Sequence, residues 1–266
     1  MVGLTERPIR VCDPSIPAPA YRTLDHVTVL ELTNVSKSYG EGAAKVAALA
    51  RVSLSVEAGA MVAVMGPSGA GKSTLLTIAG GLEEPDEGEV RVGGATLSQM
   101  SRNDRARLRR RVIGYVFQDY NLLAGLTAAE NVSLPLELDG IPVRHARAKA
   151  LAALEQLGLA DRAGHYPGQL SGGERQRVSI ARAVVGERTL LLADEPSGAL
   201  DLENGEAVMG LILAACQRGV AAVVVTHDAH LASWAGRIVS IGDGHLAGQA
   251  GGQRATARNQ DREASR

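Results

Sequence analysis

Aromatic side chains are scarce in this 266-residue sequence, at 3% with one Trp and one Phe, so aliphatic residues must build its core and base-stacking platforms for nucleic acid are not expected. Cysteine is scarcer still. Cys12 and Cys216 are too few and too far apart for a disulfide framework or a zinc cluster, which fits a reducing cytoplasm. Neither sign of charge dominates: 28 Lys and Arg face 29 Asp and Glu, leaving a net charge of −1 and no bulk attraction to nucleic acid. No apolar run approaches the ~18 residues of a membrane span, so the chain is not expected to cross a bilayer. Arg7 and Arg10 stand near the start, but Asp13 and Pro8, Pro14, Pro17 and Pro19 occupy the place of a signal peptide's apolar centre, and secretion is not expected.

What remains is an ordinary globular balance, 45% hydrophobic and 21% charged. Residues 1 to 24 are Pro-rich and aperiodic, and 249 to 266 lack an apolar face, so both read as tails around one domain over 25–248. Segments 27–35 and 48–56 have strand composition, with Val52, Leu54 and Val56 alternating against Ser53 and Ser55, which predicts an antiparallel β portion. Short apolar strands then alternate with helical stretches at 61–65, 112–117, 190–193, 220–226 and 237–241, the pattern of a parallel sheet covered by helices. A stretch of about 120–170 carries no strand signal; Thr127 and Glu130 have capping-box spacing there, and 143–157 is rich in Ala and Leu until Gly158. It reads as an inserted helical subdomain. The fold class is therefore α/β, with a parallel-sheet core, an N-terminal antiparallel β subdomain and a helical insertion.

Gly66-Pro67-Ser68-Gly69-Ala70-Gly71-Lys72-Ser73-Thr74 satisfies G-x-x-x-x-G-K-[ST] between an apolar strand and a helical run. This is the P-loop pattern. Its glycines let backbone N–H groups close on phosphate oxygens, Lys72 can bridge the β and γ phosphates, and Ser73 offers a hydroxyl to Mg²⁺. A Gly-rich strand-to-helix turn is the bland alternative, and the strand-helix context disfavours it.

Ligands of open α/β sheets collect beyond the carboxyl ends of the strands. Gln118, Asp194-Glu195 and His227 each follow a predicted strand and would face the rim that carries the P-loop. Singly, such residues are most often solvated or turn-capping. Together they supply what phosphoryl transfer to water requires. Asp194 suits a Mg²⁺ ligand; Glu195 reaches further and can polarise the attacking water; His227 can donate to the γ-phosphate; Gln118 can reach the metal or the water. Further on, Ser171 and Glu174 form a capping box around Gly172 and Gly173, whose exposed N–H groups would make a second helix-terminal anion site unless capping is their whole role.

In this order the motifs resemble the ATP-binding subunits of ABC transporters. Gly66 to Thr74 is similar to their Walker A, Gln118 to the Q-loop, Leu170-Ser171-Gly172-Gly173-Glu174 to the signature, the segment ending in Asp194-Glu195 to Walker B, Ser197 to Asp201 to the D-loop, and His227 to the switch histidine. Tyr39 resembles the aromatic residue that stacks on adenine. Ile113-Gly114-Tyr115-Val116-Phe117-Gln118 and Leu134-Pro135-Leu136 resemble the macrolide-export and lipoprotein-release branch. Glu187-Arg188-Thr189 departs from the pattern, standing where a proline is common, and Ser197 stands where Thr is usual.

The resemblance implies ATP and Mg²⁺ as cofactors and a P-loop NTPase core. It also implies a head-to-tail homodimer with each nucleotide between one copy's Walker A and the other's Ser171-Gly172-Gly173, contacted also by Asp201. The partner would be an integral membrane permease on a separate chain, docked near 118–138, at the cytoplasmic face of the plasma membrane. Two alternatives stay open: a cell-division type ATPase that signals through a permease-like partner, and a non-transport ABC ATPase. Arg102, Arg105, Arg107, Arg109, Arg110 and Arg111 form a basic run, read either as a solvated helix face or as a contact for anionic lipid or a permease loop.

Overall fold

The computed structural model describes residues 27–198, 200 and 202–251. Strands β1 (Thr28–Tyr39) and β2 (Val46–Glu57) pair antiparallel and join β4 (Glu87–Val92) and β5 (Ala95–Thr96) in a four-stranded sheet of order β2-β1-β4-β5. Strand β1 runs past the predicted end because its pairing with β2 continues through Tyr39, beyond a bend at Asn34, which takes φ 50 where the register shifts between Leu32 and Val35. Strand β4 escapes a reading of apolar runs because Glu-Gly-Glu-Val-Arg-Val buries only Val90 and Val92.

The second sheet has six strands in the order β10-β9-β3-β8-β7-β6, from β3 (Met61–Met65), β6 (Ile113–Val116), β7 (Leu190–Asp194), β8 (Ala221–Val225), β9 (Arg237–Gly242) and β10 (His245–Gly251). All are parallel except β10, which pairs antiparallel with β9 through Gly251 and carries the sheet past the expected domain end at 248. The continuous apolar character of these strands has a direct cause. Val62, Val64, Leu190, Leu192 and Val223 face a core shared with the antiparallel sheet and α1 (Lys72–Ala79), whereas Met61, Ala63, Leu191 and Val224 face a second core. The latter is closed by α5 (Gly172–Val184) and α6 (Leu202–Gln217). With both faces covered, the central strands are apolar along their buried length, and β7 turns polar only at Asp194, where it reaches the rim. Each fully buried Leu or Val contributes about 1.5–3 kcal/mol.

The helical insertion consists of α3 (Ala128–Leu138) and α4 (Val143–Gln156), opened by the expected Thr127–Glu130 capping box. Its core also takes in Leu170 before α5, Val178 and Ala181 within it and Val185 just beyond it, so α5 belongs to two cores at once. Ile180 and Ala183 on the same helix pack on the main sheet. The insertion is thereby fixed to the helix that begins at Ser171.

The basic run forms α2 (Arg102–Val112), a helix with no buried residue. Most of its charge is used within the chain. Arg105 pairs with Glu84, Arg107 with Asp104, Arg111 binds Asp139 through both carboxylate oxygens at 2.7 and 2.8 Å, and Arg109 donates to the Gly81 carbonyl at 2.7 Å. No helix among the described residues is long and apolar enough to cross a membrane.

Candidate nucleotide site

Parallel register sets the site. Val64 pairs with Val225, Asp194 with Val225 and Val116 with Ala193, so the P-loop, Glu195, His227 and Gln118 all leave the sheet at one rim, as the strand-end argument expects.

The P-loop joins β3 to α1. Gly71 takes φ 98, and a Cβ there would lie 2.1 Å from the Ala48 carbonyl oxygen, so no other residue fits. Gly66 is confined by the Ile241 carbonyl at 2.2 Å in the same way, whereas Gly69, at φ 79, faces open space. Pro67, Ser68 and Gly69 are exposed and Ala70 is buried beneath them. No side chain caps the first turn of α1, which leaves its N–H groups for an anion. Lys72 Nζ donates to the Gly66 and Pro67 carbonyls, each at 2.8 Å, and keeps one donor for a phosphate oxygen.

Ser73, exposed at the start of α1, lies beside the Asp194 carboxylate. Burial holds that carboxyl above the usual carboxylate range; the Ser73 hydroxyl and Lys72 act against this and the Glu195 charge acts with it. A hydroxyl beside a carboxylate is a hard oxygen pair that fits Mg²⁺, which fills its other positions with phosphate and water. The Tyr39 hydroxyl, beside Thr74, donates to Glu83 Oε2 at 2.6 Å, while Lys37 Nζ lies 5.7 Å from the ring centroid. Tyr39 is thus an exposed ring held upright beside the P-loop helix. Glu83, which orients it, gave no sequence signal; it lies 44 residues away.

Glu195 takes φ 44, a left-handed conformation rare outside glycine. Its N–H donates to the Val225 carbonyl and its own carbonyl accepts from Gly198, each at 3.0 Å. Oε1 lies 2.9 Å from His227 Nδ1, while Oε2 is buried without a hydrogen-bond partner among the described residues. A cleft of about 230 Å³, lined also by Ser197, Gly198 and Thr226, opens onto this pair. A buried, unpartnered carboxylate oxygen is costly in a fold and needs a reason. Acceptance of a proton from water is such a reason.

Two candidates stand apart. Gln118 is exposed and makes no side-chain hydrogen bond among the described residues, so the chain places it on the rim without joining it to the metal pair. Ser171, Gly172 and Gly173 open α5: the Ser171 hydroxyl accepts from the Glu174 N–H at 3.2 Å and Glu174 accepts from the Ser171 N–H at 2.7 Å. Neither glycine has positive φ, and a Cβ would meet side chains alone: the Tyr120 hydroxyl at 3.4 Å for Gly172, and Asn204 Oδ1 at 3.3 Å and Arg177 Nη1 at 3.7 Å for Gly173. Asp201 lies outside the described residues.

Behind Gln118, Tyr120 and Asn121 both take positive φ, and their carbonyls accept from Arg182 of α5; Tyr120 also accepts from Ser179 at 3.2 Å. The loop after Gln118 is thereby tied to the helix that starts at Ser171. Sequence spacing does not reveal this link, because Arg182 looks like any surface cation.

Comparison with known proteins agrees with this architecture. Residues 49–198 match the family described as ABC transporter. An uncharacterized ABC transporter ATP-binding protein of Methanocaldococcus jannaschii, MJ1508, is 45% identical over 218 residues, covering 82% of this chain and 97% of that protein. The macrolide export ATP-binding/permease protein MacB of Photorhabdus laumondii is 45% identical over 225 residues, and that of Salmonella typhimurium 47% over 218. These alignments cover 85% and 82% of this chain but 35% and 34% of the MacB proteins, so the chain spans about a third of their length. By their printed names those relatives join ATP-binding and permease functions, unlike the separate permease expected above. The dimeric structure of the ABC transporter cassette MJ0796 superimposes with a TM-score of 0.79 at 40% identity, over 84% of this chain and 99% of that one. A second structure of that cassette, a post-hydrolysis state bound to ADP and Pi, matches equally. The chain belongs to the ABC transporter family and carries its ATP-hydrolysing cassette.

Proposed function

We propose that this chain binds ATP with Mg²⁺ between two copies of itself and hydrolyses it to drive a membrane permease on a separate chain, in export or in extraction from the membrane. The observation that carries the reading is the unpartnered Glu195 Oε2, set beside His227 on the rim that also holds Lys72 and Asp194.

In this reading Tyr39 stacks on the adenine, and Gly66 to Thr74 wrap the phosphates. Lys72 turns its remaining donor to the β and γ oxygens. Ser73 and Asp194, with Gln118 when it closes in, hold the Mg²⁺, which when bound neutralises charge on the β and γ phosphates. Glu195 Oε2 accepts the proton of the attacking water, and His227, held by Oε1, donates to the γ-phosphate. Ser171, Gly172, Gly173 and Asp201 of the second copy close the other side. Their glycines are not demanded by sterics within the chain, which suits an approach from outside it. The dimeric MJ0796 cassette supports the pairing, and the MacB relatives support a permease partner. That partner would place the chain at the cytoplasmic face of the plasma membrane.

Glu195→Gln tests the assignment. It should lower ATP turnover by about two orders of magnitude or more while ATP still binds. Unchanged phosphate release would remove Glu195 from the role of base.

A further inference from the structure

Three successive carbonyls, those of Glu195, Pro196 and Ser197, shape the turn that follows β7. The first accepts from the Gly198 N–H at 3.0 Å and the third from the Leu200 N–H at 2.9 Å, both within the turn itself. The middle one has no such local donor among the described residues. Pro196 is buried, and its carbonyl accepts instead from the side-chain Nε2 of Gln176, 20 residues earlier on α5. A buried carbonyl needs a donor, so the Gln176 amide decides which way the central peptide of this turn points. The next residue, Arg177, donates through Nη1 to Asn204 Oδ1 at 3.2 Å, so α5 grips the chain between β7 and α6 on both sides.

Stability gives no reason for an amide at 176. The side chain is 1% exposed, and its Oε1 is buried with no hydrogen-bond partner among the described residues. With the amide in place Oε1 goes unpaired; with an apolar side chain of the same length the Pro196 carbonyl would go unpaired instead. The exchange is close to neutral for the fold. What the amide does secure is the backbone beside Glu195, whose φ of 44 lies in a sparsely populated region and persists only where the surroundings hold it. The Glu195 N–H is tied to Val225 and its carbonyl to Gly198; Gln176 fixes the peptide that follows. In that geometry Oε1 meets His227 and Oε2 is left without a partner.

We propose that Gln176 is a positioning residue for ATP hydrolysis: by holding the Pro196 carbonyl it keeps the Glu195 carboxylate where the attacking water meets it. The inference rests on the reading of Glu195 as the base and extends it to a buried side chain on the helix opened by Ser171. Gln176 acts through the backbone of the turn and not on the nucleotide, so its loss slows the chemical step without weakening ATP binding.

Gln176→Met keeps the length of the side chain and removes the donor. Steady-state ATP turnover by the full chain should show kcat about tenfold lower or more, with KM within about twofold of wild type and the urea midpoint close to it. The decisive reading is the double variant. With Glu195→Gln no base is left to place, so adding Gln176→Met should lower the residual single-turnover rate no further. ATP-driven self-association of the Glu195→Gln chain should likewise survive Gln176→Met, because the Ser171 turn is untouched. An unchanged kcat, or a raised KM in place of a lowered kcat, would overturn the proposal. So would an equal further loss on top of Glu195→Gln, which would make Gln176 a support of the fold alone, or loss of the self-association, which would assign it to the Ser171 turn. If Gln176→Met fails to fold, Gln176→Leu is read by the same measurements. Failure of the base assignment is distinct: it appears as full turnover in Glu195→Gln alone.

Discussion

The two helix starts that the proposed function assigns to the nucleotide, at Lys72 and at Gly172, are built differently. At the first, the chain's own packing dictates the glycines: Gly71 and Gly66 lie against the Ala48 and Ile241 carbonyls, and no side chain caps the turn. At the second, Ser171 and Glu174 cap each other, Arg162 binds Glu174 at 3.0 Å, and neither glycine is required by φ or by a backbone contact. The difference fits the roles proposed for the two ends. The P-loop is shaped by backbone contacts within one chain; the Ser171 end is a capped helix terminus whose glycines no backbone contact requires, as an approach by a second copy would suit.

Glycine replacement breaks the comparison most sharply. Gly71→Ala forces a Cβ into a backbone oxygen at positive φ and should cost about 2–4 kcal/mol of stability or more, read from urea unfolding. Gly173→Ala should stay within about 1 kcal/mol, because alanine favours the helix and the contacts, from 3.3 Å to Asn204 Oδ1 to 3.7 Å to Arg177 Nη1, are with side chains. Equal losses at the two positions would erase the distinction. A smaller effect concerns pH. The Ser171 N–H, then Arg162, hold the Glu174 carboxyl below its usual range. Its folded value lies under its unfolded one, so its stabilising contribution is present above the ordinary glutamate range and is lost as pH falls through the depressed value. Urea midpoints of wild type and Glu174→Gln should therefore converge on acidification; curves that stay parallel would deny the carboxylate this role.

Much of this was legible in the sequence because buried parallel strands, a P-loop and capping boxes are local patterns. The five strands 61–65 to 237–241, the helix opened by Ser171 and the rim shared by Lys72, Asp194, Glu195 and His227 follow from short-range chemistry. Long-range partners were not legible. Nothing local ties Tyr39 to Glu83, Arg111 to Asp139 or Arg182 to the Tyr120 carbonyl. Strand β4 lacks a local signal because it buries only Val90 and Val92 and pairs with the distant β1, and β10 lacks one because it is an edge strand held by its hairpin with β9. The basic run shows the same limit, since its alternatives could be weighed only once its intramolecular acceptors were in view.

Sedimentation velocity of the Glu195→Gln chain with ATP and Mg²⁺ tests the central claim most directly. A species of twice the mass should form on ATP addition, stay monomeric with ADP, and vanish when Gly173→Asp is added to the same chain. A Glu195→Gln chain that binds ATP yet remains monomeric, or a dimer indifferent to Gly173→Asp, would contradict the account.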